Sequence, residues 1–166
     1  MKKTLLTLLA ATVATAAVAQ APAWLRNSAI SPDGSRIAFT YKGDIFTVPV
    51  AGGTARQITA DKAYDTAPTW SPDGKKLAFA SNREGSLDVY TVAAGGGTPV
   101  RLTTSSADEQ PLAFIDSDNL AIISKDLGSN RSVRFPGQSN VYSINLNKPG
   151  SRPQLWLSFP AMAASF

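Results

Sequence analysis

From Trp24 onward, large apolar side chains recur at every second position in short runs, and Gly, Pro, Asn and Asp cut the runs apart. A period of two predicts β-strands of about five residues joined in hairpins, because successive side chains of a strand point to opposite faces. The run Leu77-Ala78-Phe79-Ala80 places Leu77 and Phe79 on one face and two alanines on the other. Large residues on one side and small ones on the other suit a strand covered on both faces, as when sheets stack closely.

The pattern also repeats. The segment AISPDGSRIAFTYK, 29–42, returns as TWSPDGKKLAFASN, 69–82, at an offset of 40. Beyond it, Asp44-Ile45-Phe46 matches Asp88-Val89-Tyr90, Gly52-Gly53-Thr54 matches Gly96-Gly97-Thr98, and Gln57-Ile58-Thr59 matches Arg101-Leu102-Thr103, all at an offset of 44. The step between offsets is a hairpin loop, YKG in the first copy and SNREGSL in the second. In each SPDG, proline presets φ at the second turn position while Asp and Gly suit the last two, which makes a tight β-turn.

A third, degenerate copy follows. Phe114 stands for Trp70, LAIIS over 120–124 stands for LAFAS, and IDSDN replaces the SPDG turn with one residue fewer. After a longer loop, 125–139, NVYSI echoes DVYTV and SRPQLWL echoes GTPVRLT. Four short antiparallel strands per unit of about 40 to 45 residues are the signature of a propeller blade. The expected fold is all-β: a partial β-propeller of about three four-stranded blades, near 24–62, 63–106 and 107–160, with the start of a next blade at 161–166. Propellers close with about four to eight blades. Three blades therefore predict either a fragment of a longer protein, whose missing C-terminal domains complete the ring, or self-association.

The first residues stand outside this pattern. MKK followed by TLLTLLAATVATAAVA is a basic, then apolar, then small-residue sequence, and Ala17 and Ala19 fit the small positions before a cut after Ala19. Residues 1–19 are thus expected to be a helical signal peptide and 20–166 the exported chain, periplasmic or extracellular. No second apolar run reaches the roughly 20 residues a membrane span needs, so no membrane span is expected after cleavage.

Composition narrows the chemistry. The net charge of +4 falls to +2 once Lys2 and Lys3 are discounted, and the remaining basic residues are scattered, so nothing points to nucleic acid. With no cysteine, the chain is held by packing rather than disulfides. With no histidine, Ser-His-Asp and Cys-His catalysis and the usual zinc sites are excluded from these residues.

Trp24 to Thr103 resembles the start of the secreted tricorn-like serine peptidases, whose N-terminal part is a TolB-like β-propeller. The opening Trp24 to Arg26, the YKGDIF segment and the VAGGT turn carry this resemblance beyond the widespread SPDG repeat. It implies a propeller that gates or guides peptide substrates, followed in the family by a second propeller, a PDZ domain and a catalytic domain bearing serine and histidine. None of those later parts lies within this sequence, and no catalytic residue is carried over. A stand-alone periplasmic TolB-like protein-interaction module is the alternative, and the front of a prolyl-oligopeptidase-type hydrolase is a third possibility. Either main reading implies a peptide or protein partner.

Other candidates reduce to structural roles. Gly95-Gly96-Gly97 lacks the Lys-Ser/Thr of a phosphate loop and reads as a hairpin turn. Asp116-Ser117-Asp118-Asn119 lacks the central Gly and distal Glu of a calcium loop and reads as a solvated turn. Arg83 and Asp88 are expected to pair across their hairpin loop as a surface salt bridge. Asp108 and Glu109 fall in a polar loop, where an extended backbone turns them apart. Trp24, Trp70 and Trp156 are expected to pack blades. Asn130-Arg131-Ser132 matches a glycosylation sequon only formally, since the leader looks bacterial. No catalytic, cofactor-binding or metal-binding residue and no cofactor is assigned.

Overall fold

The computed structural model describes residues 25–124 and 140–157. The leader at 1–19, Trp24, the sequon at 130–132 and the next-blade start at 161–166 lie outside the described residues.

Twelve strands form three four-stranded antiparallel sheets. The first holds β1 (Leu25–Ile30), β2 (Arg36–Tyr41), β3 (Asp44–Pro49) and β4 (Arg56–Gln57). The second holds β5 (Asp65–Trp70), β6 (Lys76–Glu84), β7 (Ser86–Ala93) and β8 (Val100–Arg101). The third holds β9 (Glu109–Phe114), β10 (Asn119–Ser124), β11 (Asn140–Asn145) and β12 (Gln154–Leu157). Within each sheet the strands lie side by side in chain order, and no helix occurs among the described residues. These are propeller blades, as the sequence pattern implies.

The SPDG turns close as expected. The Gly34 amide donates to the Ser31 carbonyl at 2.8 Å and the Gly74 amide to that of Ser71 at 2.9 Å. In each turn the serine hydroxyl donates to the aspartate two residues on and accepts the amide of the first residue of the next strand, Arg36 or Lys76. The IDSDN turn makes a different closure: Asp116 accepts the amides of Asp118 and Asn119, both at 2.8 Å. It keeps the register of the third blade, since Phe114 pairs with Leu120 as Trp70 pairs with Leu77.

Packing between blades follows one rule. A core cluster joins Ala38, Ile45 and Ile58 of the first blade to Trp70, Leu77, Phe79, Tyr90, Val92 and Ala94 of the second. The next cluster joins Ala78, Val89 and Leu102 of the second blade to Leu120, Ile122, Tyr142, Ile144 and Leu146 of the third. Each blade thus lays its small face, with one aliphatic residue just past its outer strand, onto the large face of the blade that follows. Leu77, Ala78, Phe79 and Ala80 are all fully buried, which is the two-sided covering that the Leu/Ala alternation predicts.

Candidate functional site

The most polar interior lies at the blade end that carries the β6–β7 hairpin. Asp65 stands opposite Ser81, and Ser81 opposite Asp88, so three polar residues cross the second blade in one row. All three are fully buried. The Nη2 of Arg83 reaches both carboxylate oxygens of Asp65 at 3.2 Å while its Nε donates to Ser81 Oγ at 2.9 Å. Its guanidinium also lies 4.5 Å from the ring centroid of Tyr90, a cation–π distance. Asp88 takes its own arginine, accepting from Arg101 Nη2 at 2.6 Å. The Arg83–Asp88 surface pair expected from the sequence does not form. The register sets Asp88 opposite Ser81, and the Arg83 side chain turns back over the sheet to Asp65 instead.

The third blade repeats the row with Glu109 opposite Ser124. Glu109 opens strand β9 and is fully buried, a correction to its placement in a polar loop; neighbouring Asp108 is exposed and accepts the Leu87 amide at 3.0 Å. Asp88 Oδ1 has no hydrogen-bond partner among the described residues, and the side chain facing the Glu109 carboxylate for a hydrogen bond is Thr103. Burial pushes the Glu109 carboxyl up to about 7; the Thr103 hydrogen bond and the Arg101 charge act against this, and the Asp88 charge in the same direction. Burial also raises Asp88, opposed by its bond to Arg101.

The sequence has neither histidine nor cysteine, and the best-placed hydroxyls, Ser31 and Ser71, are committed to turn hydrogen bonds. Between these two turns lies a polar groove of about 440 Å³ lined by Asp33, Arg36, Trp70 and Asp73. The hydrogen bond from Ser31, with others from Ser35, holds Asp33 down at about 2. Trp70 packs blades as expected, with its Nε1 donating to the Ala29 carbonyl of the first blade at 3.0 Å. The Gly95–Gly97 segment is the expected turn, with the Gly96 amide donating to Ala93 O at 2.8 Å.

The outer blades each carry a face outside both core clusters. On the first blade, Ile37, Phe39, Tyr41, Phe46 and Val48 line an apolar groove of about 590 Å³. Ile37, Phe39, Phe46 and Val48 hold the positions that Leu77, Phe79, Tyr90 and Val92 fill in the second blade, where they are buried. On the third blade, Trp156 follows the position paired with Tyr142 just as Ile58 and Leu102 follow theirs. Ile58 and Leu102 are 6% and 3% exposed, yet Trp156 is 49% exposed. Trp156 thus stands at the blade-packing position, and among the described residues no further blade lies on it.

Three stacked four-stranded antiparallel sheets with a repeated turn chemistry define a segment of a β-propeller. The chain belongs to the family described as the tricorn protease N-terminal beta propeller domain, whose model matches residues 22–162. It is 40% identical over 83 residues to tricorn protease homolog 1 of Streptomyces coelicolor, a match covering 50% of this chain and 8% of that protein. In fold it is similar to the putative TolB from Agrobacterium tumefaciens, with a TM-score of 0.62, 21% identity, and coverage of 75% of this chain and 46% of that one. It is likewise similar to the tricorn protease, with a TM-score of 0.54, 18% identity, and coverage of 74% and 14%.

Proposed function

We propose that this chain is the non-catalytic propeller segment of an exported tricorn-like serine peptidase, where it gates or guides peptide substrates toward a catalytic part encoded beyond it. The observation that carries the reading is the family match over 22–162 together with the 40% identity to a tricorn protease homologue. Export rests on the leader pattern of residues 1–19, and the blades would occupy 24–62, 63–106 and 107–160 of the mature chain. No helix among the described residues is long and apolar enough to cross a membrane.

The likeness in fold to a TolB protein favours a second reading, a periplasmic module that presents its propeller to protein partners. Incubating the purified chain with unstructured peptides tests the first reading. It predicts retention of peptides with every peptide bond left intact, and hydrolysis by the chain itself would overturn it.

A further inference from the structure

We propose that the junction between the second and third blades is a proton-operated latch, shut while Glu109 is protonated and released when it ionises beside Asp88, with the Arg101 guanidinium shared between the two. A frame of four positions recurs at an offset of 44: Asp44, Gln57, Thr59 and Asp65 around the first junction, and Asp88, Arg101, Thr103 and Glu109 around the second. Both frames are wired alike. Thr59 Oγ1 accepts the Ile45 amide and Thr103 Oγ1 the Val89 amide, each at 2.9 Å, while Gln57 donates to Asp44 at 3.0 Å and Arg101 to Asp88 at 2.6 Å. They differ in how the buried acid is balanced. Asp65 has Arg83 closed on it, whereas Glu109, equally buried, meets an arginine that Asp88 already holds.

Among the described residues, two fully buried carboxylates therefore face one guanidinium at the second junction. Strands β5 and β6 bring Asp65 and Arg83, engaged with each other, and Glu84, whose charge adds to that on Asp88. Strand β10, the partner of β9, carries no charged residue over Asn119–Ser124. A carboxyl buried without a counter-charge of its own takes up a proton rather than keep its charge out of water. The junction is also open to wetting. Asp88 Oδ1, the Tyr90 hydroxyl and Arg101 Nε are buried with no hydrogen-bond partner among the described residues, and the Arg101 side chain reaches the surface, 32% exposed. Opening hydrates these atoms, so the local cost of parting the two blades is lowered before Glu109 ionises and lowered further when it does. The Glu109 carboxyl at about 7, against an ordinary 4.5, means that opening releases a proton between those two values.

The inference rests on the second and third blades alone and on neither reading of function. Because the chain has no cysteine, a single one placed at a junction reports its opening. Leu102→Cys probes the second junction, where the Leu102 carbonyl accepts the Gly150 amide of the third blade at 2.9 Å; Ile58→Cys holds the matching place in the first. Maleimide labelling of the full chain is followed from pH 5 to pH 9. Each rate is divided by that of the same variant unfolded in urea at the same pH, and the resulting opening constant is compared with global unfolding from urea titrations. Leu102→Cys is expected to label at least about tenfold faster than global unfolding allows, as a sub-global opening does. Its opening constant should climb about tenfold per pH unit between about pH 5 and about pH 7 and level off above about pH 8. Ile58→Cys is expected to follow global unfolding throughout, and adding Glu109→Gln to Leu102→Cys should erase the climb. Labelling of Leu102→Cys no faster than global unfolding, an equal excess at both junctions, or a climb that survives Glu109→Gln would overturn the proposal. Should Leu102→Cys fail to fold, Val89→Cys, fully buried at the same junction, carries the same test.

Discussion

Arg83 closes on Asp65 across the second blade, its Nη2 3.2 Å from both carboxylate oxygens, with the arginine side chain 15% exposed and the aspartate wholly buried. The pair is flanked by the Tyr90 and Phe79 rings, 4.5 and 5.7 Å from the guanidinium. Removing either partner would leave the other buried without its counter-charge.

Arg83→Met should therefore cost about 3 to 5 kcal/mol, the penalty of leaving one member of a buried pair uncompensated. Asp65→Asn in the same background should restore part of it. Urea unfolding of the single and double variants checks this through the double-mutant cycle. A single-variant loss under about 1 kcal/mol would show the pair to be no more than a surface contact.

Glu109 sets the pH dependence. Its folded pKa of about 7 lies above the ordinary 4.5, so the folded state holds a proton that the unfolded state releases. The associated stabilisation is complete below about pH 4.5 and is lost as pH rises through about 7. The groups facing it are Thr103, whose hydrogen bond favours the carboxylate, Asp88, itself raised by burial and of the same sign, and Arg101, which opposes both. Unfolding free energies should fall by on the order of 3 kcal/mol between pH 5 and pH 8, and Glu109→Gln should flatten most of that slope. Equal slopes in the two proteins would contradict the assignment.

Trp70 ties the first two blades together by packing and by one hydrogen bond to Ala29 O. Trp70→Phe removes the bond and leaves most of the ring, an expected loss of about 1 to 2 kcal/mol. Trp70→Ala adds a cavity at the junction, and about 3 to 5 kcal/mol is expected in thermal or denaturant unfolding.

The two-residue turn from Tyr41 to Asp44 has positive φ at both centres, 52° at Lys42 and 91° at Gly43. Such turns match the twist of their strands and favour glycine. A Cβ on Gly43 would also meet Tyr64 Cδ2 at 3.4 Å. Gly43→Ala should destabilise by about 1 to 2 kcal/mol, whereas Lys42→Gly should be close to neutral. Similar losses for both would mean that backbone strain is not what selects glycine here.

Much of this fold is legible in the sequence because its information is local and repeated. The period of two gives the strands, SPDG gives the turns, and the Leu77/Ala78 alternation gives the two covered faces. What escapes is set by neighbours far along the chain. Arg83 is five residues from Asp88, but its partner is Asp65, which only the β5–β6 register brings near. Glu109 follows polar residues and reads as solvated, yet the second blade covers it. Trp156 has the composition of a packing residue, and its exposure depends on whether another blade lies against it. The kinks in β1 and β5 were equally silent, since Asn27 and Ala67 take positive φ at register shifts that no glycine marks.

The most direct measurement of the central claim is the nucleotide sequence beyond the codon for Phe166, read in all three frames. The account predicts continuation, in some frame, into further SPDG-type repeats and then a serine peptidase domain containing the histidine this chain lacks. Absence of any such continuation would contradict the peptidase reading and leave the protein-binding module in its place.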